Sequence, residues 1–140
     1  MLRRRLFANC AICAVGAAVG LVAGAQPSSA QQSPPGLTRK ILSTTDLPGG
    51  KLACVEVMAE IEAGALVARH THPGVESAYV LEGGGTLSVK GESDLTIKPG
   101  DAFQVAAEVP HSLQNGSQKT RILLTYAVEK DKPLASPAPA

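Results

Sequence analysis

Turn-forming residues punctuate this chain so closely that almost no stretch is left for a helix. Pro48-Gly49-Gly50, Ala63-Gly64, Pro73-Gly74, Gly83-Gly84-Gly85, Lys90-Gly91, Pro99-Gly100 and Asn115-Gly116 mark chain reversals. Between them lie short β-favouring runs: Lys51–Ile61, Leu66–His72, Ser77–Leu81, Thr86–Lys90, Asp94–Ile97, Ala102–Val105, His111–Gln114 and Thr120–Val128. In the first of these, Val55, Val57, Ala59 and Ile61 alternate with Glu56 and Glu60, as a strand with one buried face requires. Short strands separated by regular turn signals predict an all-β sandwich or barrel. No repeat has the period of a solenoid or propeller.

Upon that frame sits a compact group of ligand-type side chains. His70, His72 and Glu76 lie within seven residues, and His111 follows thirty-five residues after Glu76. These are all 3 histidines of the chain. Strand side chains alternate between faces, so His70 and His72 leave the same side. Leu66 and Ala68 share their parity, and the expectation is that this face is the apolar interior. Pro73-Gly74 turns the chain, so that Glu76 returns beside the pair on the next strand. His111 and Leu113 share one face of a later strand. Arg69, of opposite parity, is expected to face outward. Imidazole and carboxylate together suit one divalent first-row transition ion: Fe, Mn, Ni, Cu or Zn. Four protein ligands leave one or two positions open on an octahedral ion, the mark of a reactive rather than a closed site.

The ends of the chain read differently. Met1-Leu2-Arg3-Arg4-Arg5 is basic, and residues 6–25 carry no charge. Small residues at Ser28-Ser29-Ala30 or at Ala23-Gly24-Ala25 offer a signal-peptidase site, so residues 1–30 read as a signal peptide. An uncleaved anchor is the rival reading, weakened by a run rich in Ala and Gly. Arg4-Arg5-Leu6-Phe7 resembles a twin-arginine core, with Sec export as the alternative route. The chain is therefore expected in the periplasm or outside the cell.

Cleavage removes Arg3, Arg4 and Arg5, so 13 basic residues become 10 against 12 acidic, and the formal charge moves from +1 to −2. Nothing basic or aromatic then clusters into a nucleic-acid surface, and no membrane contact is expected after cleavage. Cys10 and Cys13 also leave, so Cys54 has no partner for an internal disulfide and reads as a small core residue. Gln31–Gly36 forms a flexible lead-in, and residues 131–140, rich in Pro and Ala, are expected to be a disordered tail.

The spacing of the two ligand segments resembles the cupin superfamily, small single-domain jelly rolls built as a double-stranded β-helix. Its first motif reads Gly, five residues, His-x-His, three or four residues, Glu, six residues, Gly. Gly64, His70, His72, Glu76 and Gly83 match every fixed position. In the second motif Gly100, His111 and Asn115 match, but Ala106 stands for the family's Pro and Glu108 for its Gly. Pro110 is the residue that would restore stiffness to that turn. The resemblance implies a cupin domain over residues 37–130 that binds metal through His70, His72, Glu76 and His111. It also implies a small-molecule ligand or substrate, and dimerisation through edge strands.

All three imidazoles are committed to the ion, so no free histidine remains as a general base, and the base would be metal-bound hydroxide, a displaced Glu76 or a non-ligand such as Tyr79. Tyr79, Phe103, Gln104 and Arg121 are candidates to line the cavity, with ordinary scaffold as the leading reading of each. The leading functional expectation is a metal-dependent enzyme of oxygenase type acting on a small organic molecule, lyase or isomerase chemistry ranking below it. The alternative is a non-catalytic cupin that binds a small ligand or metal in the cell envelope.

Overall fold

A computed structural model describes residues 34–139. The expected signal segment with its cleavage positions, Cys10, Cys13 and residues 31–33 lie outside the described residues. Ten strands follow in order: β1 (Leu37–Asp46), β2 (Leu52–Ile61), β3 (Leu66–Thr71), β4 (Gly74–Glu82), β5 (Gly85–Val89), β6 (Leu95–Ile97), β7 (Ala102–Val105), β8 (His111–Asn115), β9 (Thr120–Glu129) and β10 (Ser136–Pro137). They form two five-stranded sheets, ordered β1-β2-β9-β4-β7 and β10-β3-β8-β5-β6. Every pairing is antiparallel. This is the all-β, single-domain fold that the turn spacing predicts.

Alternation places the core. On β9, Thr120, Ile122, Leu124, Tyr126 and Val128 are buried, while their neighbours are half-buried or exposed. On β2, Val57, Ala59 and Ile61 point the same way. They meet Val67, Leu87, Ile97 and Leu113 of the other sheet in one cluster. Each such side chain contributes roughly 1.5–3 kcal/mol on full burial. Cys54 has the opposite parity to Val57 and is only half-buried. It lies off the core face, contrary to its expected place in the core.

A polar clamp closes one corner. The Asn115 side-chain amide donates to the carbonyls of Ile61 (3.0 Å), Glu62 (2.8 Å) and Gln118 (3.0 Å). Its carbonyl accepts from the Thr120 hydroxyl at 2.6 Å. That hydroxyl in turn accepts from the Gly84 amide. Three loops are thereby tied to the start of β9. The neighbouring Gly83 has a φ of 73°, and a Cβ there would collide with the Thr120 hydroxyl and the Lys119 carbonyl. The closing glycine of the first motif is thus needed for both backbone angle and space.

Two segments depart from expectation. β1 pairs with β2 over nearly its whole length although its sequence shows no alternation. It is an edge strand with most residues exposed, so burial imposes no pattern on it. The tail expected to be disordered instead adds Ser136-Pro137 to the edge of β3, opposite Thr71 and His70. Leu134 packs on the core just before it. One half-buried leucine and two ladder pairs hold a segment whose composition suggests no order.

Candidate metal centre

Four side chains from three strands and one turn converge at one end of the barrel. His70 lies one residue before the end of β3, His72 in the turn that follows, Glu76 two residues into β4, and His111 opens β8. One ligand atom from each lies within 4.8 Å of all the others. His72, Glu76 and His111 are buried, and His70 is half-buried. The four residues picked from the sequence are the four that the fold brings together.

The route by which His70 turns inward differs from the expected one. Leu66 and Ala68 are exposed, whereas Val67 between them is buried. Val67 sits opposite Leu113 and His70 opposite His111, so three steps on β3 match two on β8. The extra residue is a β-bulge, which reverses the side-chain parity. Without it, a strand that buries Val67 would turn His70 out to solvent. The bulge also leaves the Ala68 carbonyl without a partner in β8, and His70 Nδ1 takes it at 2.7 Å.

All three rings are oriented by the same device. His70 Nδ1 donates to Ala68, His111 Nδ1 to Val109 at 2.9 Å, and His72 Nδ1 to Leu134 at 2.5 Å, each to a backbone carbonyl. A carbonyl can only accept, so the neutral imidazoles carry their protons on Nδ1. Each Nε2 is left as a bare lone pair. His72 Nε2 lies 2.7 Å and His111 Nε2 3.5 Å from Glu76 Oε2, also an acceptor. Neither nitrogen has a hydrogen-bond partner. Acceptors facing one another at this distance require a cation or a proton between them. Metal-bound histidines characteristically donate their second N–H to a backbone carbonyl or carboxylate. The donor set therefore fits a metal ion.

In the absence of a metal, protons fill that role. Burial works to raise the Glu76 carboxyl, but hydrogen bonds from His111 and His72 outweigh it and hold its pKa at about 2. Burial works to lower His111, but the bond with Glu76, then that with Val109, raise it. Burial, then the charge on His111, lowers His70 to about 4. Beside the cluster, the Tyr126 ring lies 4.7 Å from that of His72. Burial and the Glu76 charge hold its phenol protonated well above the usual range.

The cluster opens on a cavity of about 40 Å³ lined by His70, Glu76, His111, Tyr126 and Arg39, with apolar walls including Val67, Leu87 and Phe103. A groove of about 200 Å³ adjoins it, sharing Arg39, Val67 and His70. Of the four residues named as candidates to line the cavity, Phe103 does so. Tyr79 is 47% exposed on the far face, because Glu76, Ala78 and Val80 hold the inward parity of β4. Gln104 is exposed and bonds Ser77, and Arg121 pairs with Glu82 and Glu60. Tyr126 and Arg39 were not foreseen. The alternation of Ile122, Leu124, Tyr126 and Val128 carried the signal for Tyr126. Nothing in the sequence of β1 carried it for Arg39.

Two antiparallel sheets closed on one core, with three histidines and a glutamate gathered at one end, define the double-stranded β-helix class of fold. The family profile described as "Cupin domain" matches residues 57–126, half of the chain, and the chain belongs to that family. A comparison with curated proteins finds no match. Among solved structures it is similar to a DMSP lyase, DddQ, from Ruegeria pomeroyi DSS-3, at 20% identity and a TM-score of 0.59. The match covers 73% of this chain and 51% of that one, so the chain spans about half the length of the lyase. KdgF from Halomonas sp. is similar at 25% identity and a TM-score of 0.57, over 72% of this chain and 88% of that one. A salicylate 1,2-dioxygenase from Pseudaminobacter salicylatoxidans is similar at 23% identity and a TM-score of 0.53, over 66% and 26%.

Proposed function

We infer that this chain is an exported, metal-dependent enzyme acting on a small organic molecule, with oxygenase chemistry as the reaction class. The supporting observation is that the buried Nε2 atoms of His72 and His111, neither with a hydrogen-bond partner, face the Glu76 carboxylate beside His70 at the inner end of an open groove. His70, His72, Glu76 and His111 would hold one divalent first-row ion. Bound there, such an ion supplies Lewis acidity and, where redox-active, chemistry with dioxygen.

The protein's own groups set the surroundings. Carbonyls of Ala68, Val109 and Leu134 hold the three rings in one tautomer. Val67, Leu87 and Phe103 keep the inner cavity dry and favour an apolar substrate portion. Tyr126 keeps its proton beside Glu76 and can donate to an oxygen of the substrate, but does not serve as a base. The similar folds include proteins named as lyases and as a dioxygenase, so the scaffold alone does not select the reaction.

The test is reconstitution with Fe(II), Mn(II), Ni(II), Cu(II) or Zn(II), followed by dioxygen uptake against phenols, diols and thiols. Uptake that depends on metal and is abolished by His72→Ala supports the reading. Tight metal binding with no turnover under any redox-active ion overturns it in favour of a non-catalytic metal- or ligand-binding cupin. Export is tested by N-terminal sequencing of the envelope fraction. A mature chain beginning at Gln26 or Gln31 supports it, and an intact chain overturns it.

A further inference from the structure

Four cationic side chains among the described residues are half-buried: Arg39, Arg69, Arg121 and Lys130. Arg121 pairs with Glu60 and Glu82, and Lys130 with Asp46 at 2.7 Å. Arg39 and Arg69 form no ion pair with any described residue, and both line the groove beside the cluster. Withdrawing a guanidinium partly from water without an opposing charge is unfavourable, and doing so twice in one groove is a local excess of positive potential. No acidic residue lines that groove; its only other polar side chains are His70 and Ser136.

The placement follows from the strands. Leu37 and Arg39 share the inward parity of β1, so Arg39 extends from the rim of the core toward the cavity. Arg69 stands beside the bulge of β3, next to His70. Arg39, Val67 and His70 line both groove and cavity, so a molecule held between the guanidiniums extends continuously toward the ligand cluster.

We propose that this groove binds the carboxylate of the substrate, gripped by Arg39 and Arg69, and that the substrate class is small carboxylic acids. The geometry of a guanidinium matches a carboxylate with two parallel hydrogen bonds, a match an ammonium does not offer. A groove of about 200 Å³ has room for a small acid. The proposal rests on the reading of the cluster as a site open to small molecules. The groove itself is formed by protein alone, so it is testable with and without metal.

Calorimetric titration of the metal-free and Mn(II)-loaded protein with benzoate and propionate, against the neutral isosteres benzamide and propionamide, is the direct test. The acids are expected to bind and the amides to bind at least about tenfold more weakly. Arg39→Gln and Arg69→Gln each weaken benzoate by roughly tenfold or more, and Arg39→Lys by less than Arg39→Gln. Mn(II) affinity of the same variants is not weakened, since neither arginine is a ligand and each substitution removes a positive charge from beside the cluster. Equal binding of acid and amide, or benzoate affinity unchanged in both Gln variants, overturns the proposal even where Mn(II) binds normally. Failure of Fe(II), Mn(II), Ni(II), Cu(II) and Zn(II) alike to bind, with benzoate still discriminated in metal-free protein, removes the enzyme reading and leaves the anion site standing.

Discussion

Replacing Asn115 with alanine removes four hydrogen bonds at once. The Ile61 carbonyl and the Thr120 hydroxyl lose a buried partner, while the carbonyls of Glu62 and Gln118 are near enough to solvent to recover water. A stranded buried group costs about 1–3 kcal/mol, and a rehydrated one about 0.5. The sum is about 3–7 kcal/mol, a large share of the 5–15 kcal/mol typical of a domain's stability. In a domain of this size the midpoint of thermal unfolding drops by roughly 15–35 °C. Asn115→Asp sharpens the test, because it sets a carboxylate oxygen where the amide met three carbonyls. It is predicted to be less stable than the alanine variant at neutral pH. Protonation relieves the repulsion, so the folded-state pKa of the new carboxyl is raised and stability recovers as pH falls. The assay is urea unfolding with chelator present, so that metal linkage does not enter. A loss below about 1 kcal/mol for alanine, or an aspartate variant as stable as the alanine one, refutes the reasoning.

Three further outcomes are expected. Glu76 has a folded pKa of about 2 against an ordinary 4.5, so its contribution to the metal-free fold is complete above pH 4.5 and lost as pH falls toward 2. Acid unfolding of metal-free Glu76→Gln should show a shallower slope across that window, and an unchanged slope would count against the assignment. Glu108 occupies the position of the family's glycine with a φ of 59°, while its amide bonds the His72 carbonyl at 2.9 Å. Glu108→Gly relieves a left-handed residue at about 1–2 kcal/mol but loosens the unfolded chain by up to about 1. It should be neutral to mildly stabilising in urea unfolding, and a clear destabilisation would refute the strain. Ending the chain after Pro133 deletes the Leu134 carbonyl and β10, freeing the His72 ring. Competition with a chromophoric chelator should then show about 10–100-fold weaker metal binding, and unchanged affinity would show that the tail does not position His72.

The sequence revealed most where burial writes a pattern. β2 and β9 alternate because one face of each meets the core, and the ligand spacing survives because His70, His72 and Glu76 are local neighbours. β1 was illegible for the opposite reason: an exposed edge strand is specified by the strand it pairs with, not by its own alternation. The inward turn of His70 was foreseen on the wrong premise, since the parity argument from Leu66 and Ala68 assumed an unbroken ladder. A bulge depends on the register of two strands more than forty residues apart, which no local reading of β3 contains. Arg39 and the Leu134 carbonyl enter the site from the two ends of the domain, one from a strand without alternation and one from a segment whose composition suggested only a tail.

The position of β9 also has a temporal consequence. It is among the last strands to be made, yet it is hydrogen-bonded between β2 and β4 at the centre of its sheet. A nascent chain can form the β1–β2 hairpin early, but β4 has no path to β2 until residue 129 has emerged. Most of the first sheet therefore closes in one late, long-range step, the kind that slows folding of all-β domains. Until then the inner faces of β2 and β4 are bare, and Glu76 on β4 has no floor beneath it. A metal ion held by His70, His72, Glu76 and His111 would accordingly find its site complete only after β9 is in place, and would not nucleate the fold from its first half.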